Sequence, residues 1–178
     1  MVKVTLKVLF FFLLMSISNI GTCQNQTIRL SVRTGGNVDF IFNSYKKFDQ
    51  GIIYTDYTKL AVYYIDTDNA GNHTALTHWK LDFKANAANI EGSSSNLDLR
   101  TLELTATDGG GTSSATYLGK KELSAVDGTL VNAGPEGDYS VNLINITYDC
   151  GTNPTYKVLF KKSDYFIVDI IFTAISTP

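Results

Sequence analysis

Two histidines, two cysteines and seventeen acidic residues are the groups in this 178-residue chain that could carry a reaction or hold a metal. His73 and His78 stand five apart, and neither has a Ser or Cys at a spacing that makes a base–nucleophile pair. Neither G-x-S-x-G nor H-E-x-x-H occurs. The acid pairs Asp66/Asp68 and Glu136/Asp138 have the residue types of acid–base work, but in turn sequences such pairs are usually solvated. Asp66-x-Asp68-x-x-Gly71 begins like an EF-hand loop, yet its fifth position is Ala70 and its twelfth is Thr77, where oxygen ligands are needed. A different calcium turn through Asp66, Asp68 and Asn72 stays open beside the plain turn. The expectation is no catalytic set, no metal centre and no cofactor.

Aromatic side chains offer a second kind of chemistry, stacking. Tyr45, Phe48, Tyr54 and Tyr57 fall in one expected loop together with Lys46, Lys47, Asp49 and Asp56. That amphipathic mixture suits contact with a sugar ring or a protein surface, and these four are the candidate ligand-binding residues. The competing reading is that half of them cap the open end of the core. Trp79 alternates with Leu81 and Phe83 and is expected inside. The sequons at Asn25, Asn72 and Asn145 bear on the protein only in a host that glycosylates them.

Strands must position these groups, because period-two alternation runs through the chain. Ile28, Leu30 and Val32 alternate with Arg29, Ser31 and Arg33, and Val38, Phe40 and Phe42 with Asp39, Ile41 and Asn43. Trp79, Leu81 and Phe83 alternate with Lys80, Asp82 and Lys84. Val141, Leu143, Ile146 and Tyr148 follow the same habit with a slip at Ile144-Asn145, as a bulge would give. The phase change between residues 97–100 and 102–104 predicts another bulge or a strand changing sheets.

Residues 59–66 and 165–174 are apolar on both faces and are expected as central strands. Gly35-Gly36-Asn37 predicts a tight hairpin, and residues 66–72 a turn. Residues 107–138 hold seven of the 14 glycines and read as a long surface excursion with one short strand near 129–131. The best helical stretch, 120–126, is one or two turns. The whole predicts an all-β chain: a single antiparallel β-sandwich, Ig-like or jelly-roll-like, of about eight strands.

Compartment follows from the first residues. Lys3 and Lys7 precede the eight-residue apolar run 8–15, which is too short to span a bilayer and reads as a signal peptide over residues 1–23. Cleavage before Gln24 leaves Cys150 alone; cleavage after Ser18 leaves Cys23 to pair with it. In a lipoprotein reading Cys23 would be acylated, but Thr22 stands where Gly or Ala is usual. Residues 24–178 then form one secreted domain with no transmembrane segment. The chain is 44% hydrophobic and 12% aromatic, which excludes a disordered chain, and its net charge of −2 gives no footprint for nucleic acid.

Two stretches resemble a known group. Pro135-Glu136-Gly137-Asp138-Tyr139-Ser140-Val141-Asn142-Leu143 is similar to the lead-in to a late strand of bacterial fimbrial and spore-coat-protein-U-like subunits. The ending Tyr165-Phe166-Ile167-Val168-Asp169-Ile170-Ile171-Phe172-Thr173 resembles their terminal strand. The chain departs from chaperone–usher pilins in lacking an early disulfide and in carrying Thr177 where they have Tyr. The resemblance implies a non-enzymatic surface-fibre or adhesin-type subunit of a bacterial envelope. Its partners would be other copies, other surface proteins or glycans. It also implies Ile28, Leu30 and Val32 as residues of an assembly strand, against the ordinary reading of a first strand pairing in its own domain. A monomeric carbohydrate-binding module is the alternative, with a secreted hydrolase third.

Overall fold

The computed structural model describes residues 25–178 apart from 112, 160, 162 and 163. The expected signal segment and Cys23 lie outside the described residues. Eleven strands follow in order: β1 (Asn25–Thr34), β2 (Ile52–Thr67), β3 (His78–Ala85), β4 (Glu91–Gly92), β5 (Leu102–Asp108), β6 (Thr116–Tyr117), β7 (Lys120–Glu122), β8 (Gly128–Gly134), β9 (Gly137–Cys150), β10 (Phe166–Ile167) and β11 (Ile170–Thr177). Among the described residues, one helix, α1 (Tyr45–Gln50), and a single 3-10 turn (Leu99–Thr101) complete the elements. The strands form a five-stranded sheet in the order β1-β2-β9-β5-β7, a four-stranded sheet β11-β3-β8-β6 and a pair β10-β4. Every ladder is antiparallel. The all-β expectation holds; among the described residues there are eleven strands in three sheets, where about eight strands were expected.

One core draws on both larger sheets. Leu60, Val62 and Tyr64 of β2 and Ile144, Ile146 and Tyr148 of β9 belong to the same buried cluster as Trp79, Leu81 and Phe83 of β3. Trp79 is the largest fully buried side chain. Its indole N–H donates to the Pro135 carbonyl at 2.9 Å, and the Asn142 amide donates to the same oxygen at 3.1 Å. Pro135 lies where the chain leaves β8 in one sheet and starts β9 in the other, so the indole fixes that crossing. Gly134 lets it do so, because a Cβ there would fall inside the Trp79 ring.

A buried polar network lies at the same end. Thr77 Oγ1 donates to Asp66 Oδ2 at 2.8 Å and also bonds the Tyr64 hydroxyl. Ser176 and Gln26 continue it to β11 and β1. These bonds join the first residues of β1 to the last of β11 and close that end.

Several expectations fail for identifiable reasons. Gly35-Gly36-Asn37 makes no hairpin. Residues 37–43 run extended without a ladder, their Val38, Phe40 and Phe42 partly buried against the core, so the alternation is real but no strand pairs there. Residues 165–174 are not central: β11 is an edge strand, with Ile171 and Ile175 each 39% exposed. Residues 107–138 are not a surface excursion, since they supply β6, β7 and β8 and the fully buried Leu123, Leu130 and Val131. The stretch 120–126 starts as β7, not as a helix. The inward face of β9 runs unbroken through Asn142, Ile144, Ile146, Tyr148 and Cys150, without the expected slip. Asn142 is a buried polar residue, and an apolar pattern passes over it. The phase change at 97–102 is the 3-10 turn, capped by Asp98 accepting from Arg100 N.

Gly134→Ala is expected to destabilise the fold by about 1–3 kcal/mol, as overpacking does. Gly36→Ala, with open space at its Cβ position, should be near neutral in the same urea titration.

Candidate functional site

The end opposite the polar network stays open. There β2 begins against Cys150, β3 ends against Ile170, and a groove of about 970 Å³ runs between two extended segments. Residues 36–42 form one wall with Val38, Phe40 and Phe42, and residues 164–170 the other with Phe166, Val168 and Ile170. Tyr148, Cys150 and Val158 lie at the base.

The first wall is a strap held at separated points. Thr58 Oγ1 donates to the Gly35 carbonyl at 2.5 Å, the Tyr54 hydroxyl to Asp39 O at 3.0 Å and Lys47 Nζ to Ile41 O at 3.2 Å. Among the described residues, no backbone–backbone hydrogen bond ties residues 36–43 to a neighbouring strand. The strap ends at α1, where Ser44 caps the helix by accepting from Lys47 N at 3.4 Å. Gly51 stops the helix at φ 77°, and a Cβ there would meet the Cys150 and Gly151 backbone at 2.6 Å. The opposite wall is pinned by Asp164, which accepts from the Ser93 hydroxyl at 2.5 Å and from the Ser94 N–H at 2.7 Å.

Stacked rings run outward from the groove. Phe40, on the strap, stacks on Tyr54 at 5.0 Å between centroids, and Tyr54 stacks on Tyr57 at 5.4 Å. Tyr54 and Tyr57 are three apart in a strand, where strict alternation would send them to opposite faces. A bulge between Tyr54 and Thr58 corrects this, with Asp56 at φ 50° and its N–H donating to Thr147 Oγ1 at 3.0 Å. Asp is among the residues that enter this left-handed region most readily.

The four candidate aromatics therefore divide. Tyr54 and Tyr57 come together, on β2 and not in the expected loop. Phe48 packs on Phe42 at 5.4 Å and lines the groove. Tyr45 stands apart on α1, 74% exposed. Phe40 completes the stack, although its sequence pattern predicts only a residue of an alternating strand. Its alternation with Asp39 and Ile41 was visible, but which face it served depended on the missing ladder. Of the expected assembly residues, Ile28 and Leu30 pack against their own core and Val32 is 55% exposed at the groove. All three pair with β2 of the same chain.

The other chemistry-bearing groups are committed elsewhere. Burial pushes the Asp66 carboxyl up, but hydrogen bonding, with the Thr77 hydroxyl donating at 2.8 Å, outweighs it and leaves its pKa lowered. The Thr74 hydroxyl lies outside hydrogen-bond geometry, so Thr74 Oγ1 and Asp66 Oδ1 are both buried without a partner. Asp68 closes its own turn, accepting from Ala70 N at 2.8 Å and Asn72 N at 2.9 Å. The two acids thus serve different structures, one inward and one in the turn. His73 meets Glu136 at 2.6 Å, and His78 is exposed beside the buried Trp79. Burial pushes the Cys150 thiol up to about 12, opposite to what a nucleophile needs. Among the described residues, no group of three His, Cys, Asp or Glu is placed to hold a metal ion. Compared with known proteins, the chain matches no family model and no curated sequence.

Two outcomes are expected. In a Cys23→Ser background, Cys150 should resist a disulfide-forming thiol reagent in the native state and react once the chain is unfolded in urea. The Ser93 and Ser94 groups, with the Tyr165 N–H, hold the Asp164 pKa well below the ordinary carboxylate value despite burial. The tether's contribution is therefore complete above the unfolded value of about 3.9 and is lost as pH falls from there through the lower folded value. Protection of residues 93–96 and 164–167 from hydrogen exchange, taken relative to the intrinsic rate at each pH, should fall on acidification in the wild type. In Asp164→Ala it should already be low at pH 7.

Proposed function

We propose that this chain is a secreted, non-enzymatic β-sandwich of a bacterial cell envelope, an adhesin- or fibre-type subunit that works by holding a partner at its open end. The two larger sheets are read as the layers of the sandwich. The observation that carries the reading is the open apolar groove with a three-ring stack leading out of it. Its apolar walls offer area for burial, and the rings offer flat faces for a sugar or an aromatic side chain. Among the described residues lining the groove there is no histidine and no accessible thiol, and of its acids Asp164 is committed to the Ser93 and Ser94 tether. That composition suits binding more than turnover.

The strap supports the protein-contact form of this reading. An extended segment with alternating apolar side chains and unladdered backbone can accept a strand added from another chain. The ring stack supports the second form, a carbohydrate-binding module, in which Tyr54 and Tyr57 face the ligand. Export through the signal segment 1–23 belongs to the same proposal, as does the likeness to fimbrial subunits.

Tyr57 is 40% exposed, so Tyr57→Ala should leave the melting temperature nearly unchanged. Retention on the host's own cell-surface preparations should fall by roughly three- to tenfold, the scale of a lost aromatic contact. Unchanged retention in both Tyr54→Ala and Tyr57→Ala would remove the stack from the binding site. Sedimentation separates the two forms: oligomers that lengthen with concentration indicate strand addition between copies, and a monomer indicates the module.

A further inference from the structure

The outward face of the five-stranded sheet segregates its charge. At the β5–β7 side, Lys120 is paired with Asp149 at 2.7 Å and faces Glu103 at 3.8 Å. At the β1–β2 side, Arg29, Arg33 and Lys59 are exposed, and among the described residues no carboxylate lies within ion-pair distance of any of them. The chain carries a net negative charge, so three unpaired cations on one face are not what a uniform surface would give. Asp138, the residue before Tyr139, is turned back onto its own backbone, accepting from Ser140 N at 2.7 Å and from Val141 N at 3.2 Å.

Two tyrosines lie between the arginines. The Arg29 guanidinium sits 5.9 Å from the Tyr63 ring centre, Tyr63 is 5.7 Å from Tyr139, and Arg33 is 4.8 Å from Tyr139. Cross-strand register produces this arrangement, with Arg29 directly opposite Tyr63. A guanidinium lying over a ring keeps its orientation while its N–H edge remains available for a carboxylate or sulfate. Half-exposed tyrosine rings beside it offer a surface for the C–H face of a pyranose.

We propose that this face binds an acidic polysaccharide, a polymer of pyranose rings bearing carboxylate or sulfate groups. The four residue steps from Arg29 to Arg33 span about 13 Å. Three cations over that length match a polymer with sparse charge. Duplex DNA carries one charge per about 1.7 Å, and the acidic remainder of the protein would repel it. The site lies on the outward face of a sheet and uses none of the residues that line the groove, so it stands or falls independently of the function proposed above.

The test is binding of the full chain to an alginate-coated sensor, with dextran as the neutral polymer and duplex DNA as the competing polyanion. Alginate should bind, with affinity falling as salt rises, and dextran should not. The double variant Arg29→Gln/Arg33→Gln should bind at least about tenfold more weakly, since charge-assisted contacts are lost. Lys121→Gln/Lys161→Gln changes net charge equally at other exposed positions and should bind as the wild type does. If the arginine variant does not melt cooperatively, Lys59→Gln is the substitute, with a loss of about threefold expected. Four outcomes would overturn the proposal: no binding to alginate, equal binding to dextran, tighter binding to DNA, or equal loss in the two double variants.

Discussion

The contact of the Trp79 indole with Gly134 and the Pro135 carbonyl is the constraint on which the rest of the architecture depends. It places the largest buried side chain at the corner where β8 becomes β9, and so ties the two larger sheets to each other. Truncating a buried Trp costs about 3–5 kcal/mol in general, a large fraction of the stability of a domain this size. Here it would also release the corner. Asn142 is drawn into the core for the same reason: its amide shares the Pro135 carbonyl, which a hydrophobic residue could not do.

With one end pinned, the two ends of the molecule become different. At the Trp79 end polar side chains of β1, β2 and β11 bond one another through Tyr64, Asp66, Thr77 and Ser176. At the other end the chain places an unladdered strap, and its carbonyls are met by side chains at intervals and not by a neighbouring strand. Backbone groups left outside a ladder must be satisfied by water or by a partner. The groove is therefore a consequence of topology. Residues 35–43 cross the opening without joining either sheet, and the space between them and residues 164–170 is left for something else.

Surface charge follows the sheets in the same way. Register brings Arg29 opposite Tyr63 and lets Arg33 reach Tyr139, while Asp149 and Glu103 of the same sheet lie beside Lys120 toward its other side. The chain thus offers two surfaces of different character, an apolar cleft at one end and a cationic, ring-bearing face on one side. They need not serve the same partner.

The sequence by itself determined the strand class, the inward placement of Trp79, Leu81 and Phe83, and the dearth of nucleophile–base pairs. Each of these depends on residue type and on a period of two, which are local. It also singled out Tyr54 and Tyr57, but it could not bring them together. That needed a bulge at Asp56, and a bulge is invisible to alternation because it is a break in it. The strap shows the same limit from the other side. Val38, Phe40 and Phe42 alternate as strand residues do, yet whether a strand forms depends on a neighbour with free hydrogen-bonding groups, and tertiary structure supplied none. β11 looked central because its sequence is apolar on both faces, but a strand's place in a sheet is set by what pairs with its second edge. Only the folded chain decided that, and with it the position of the groove.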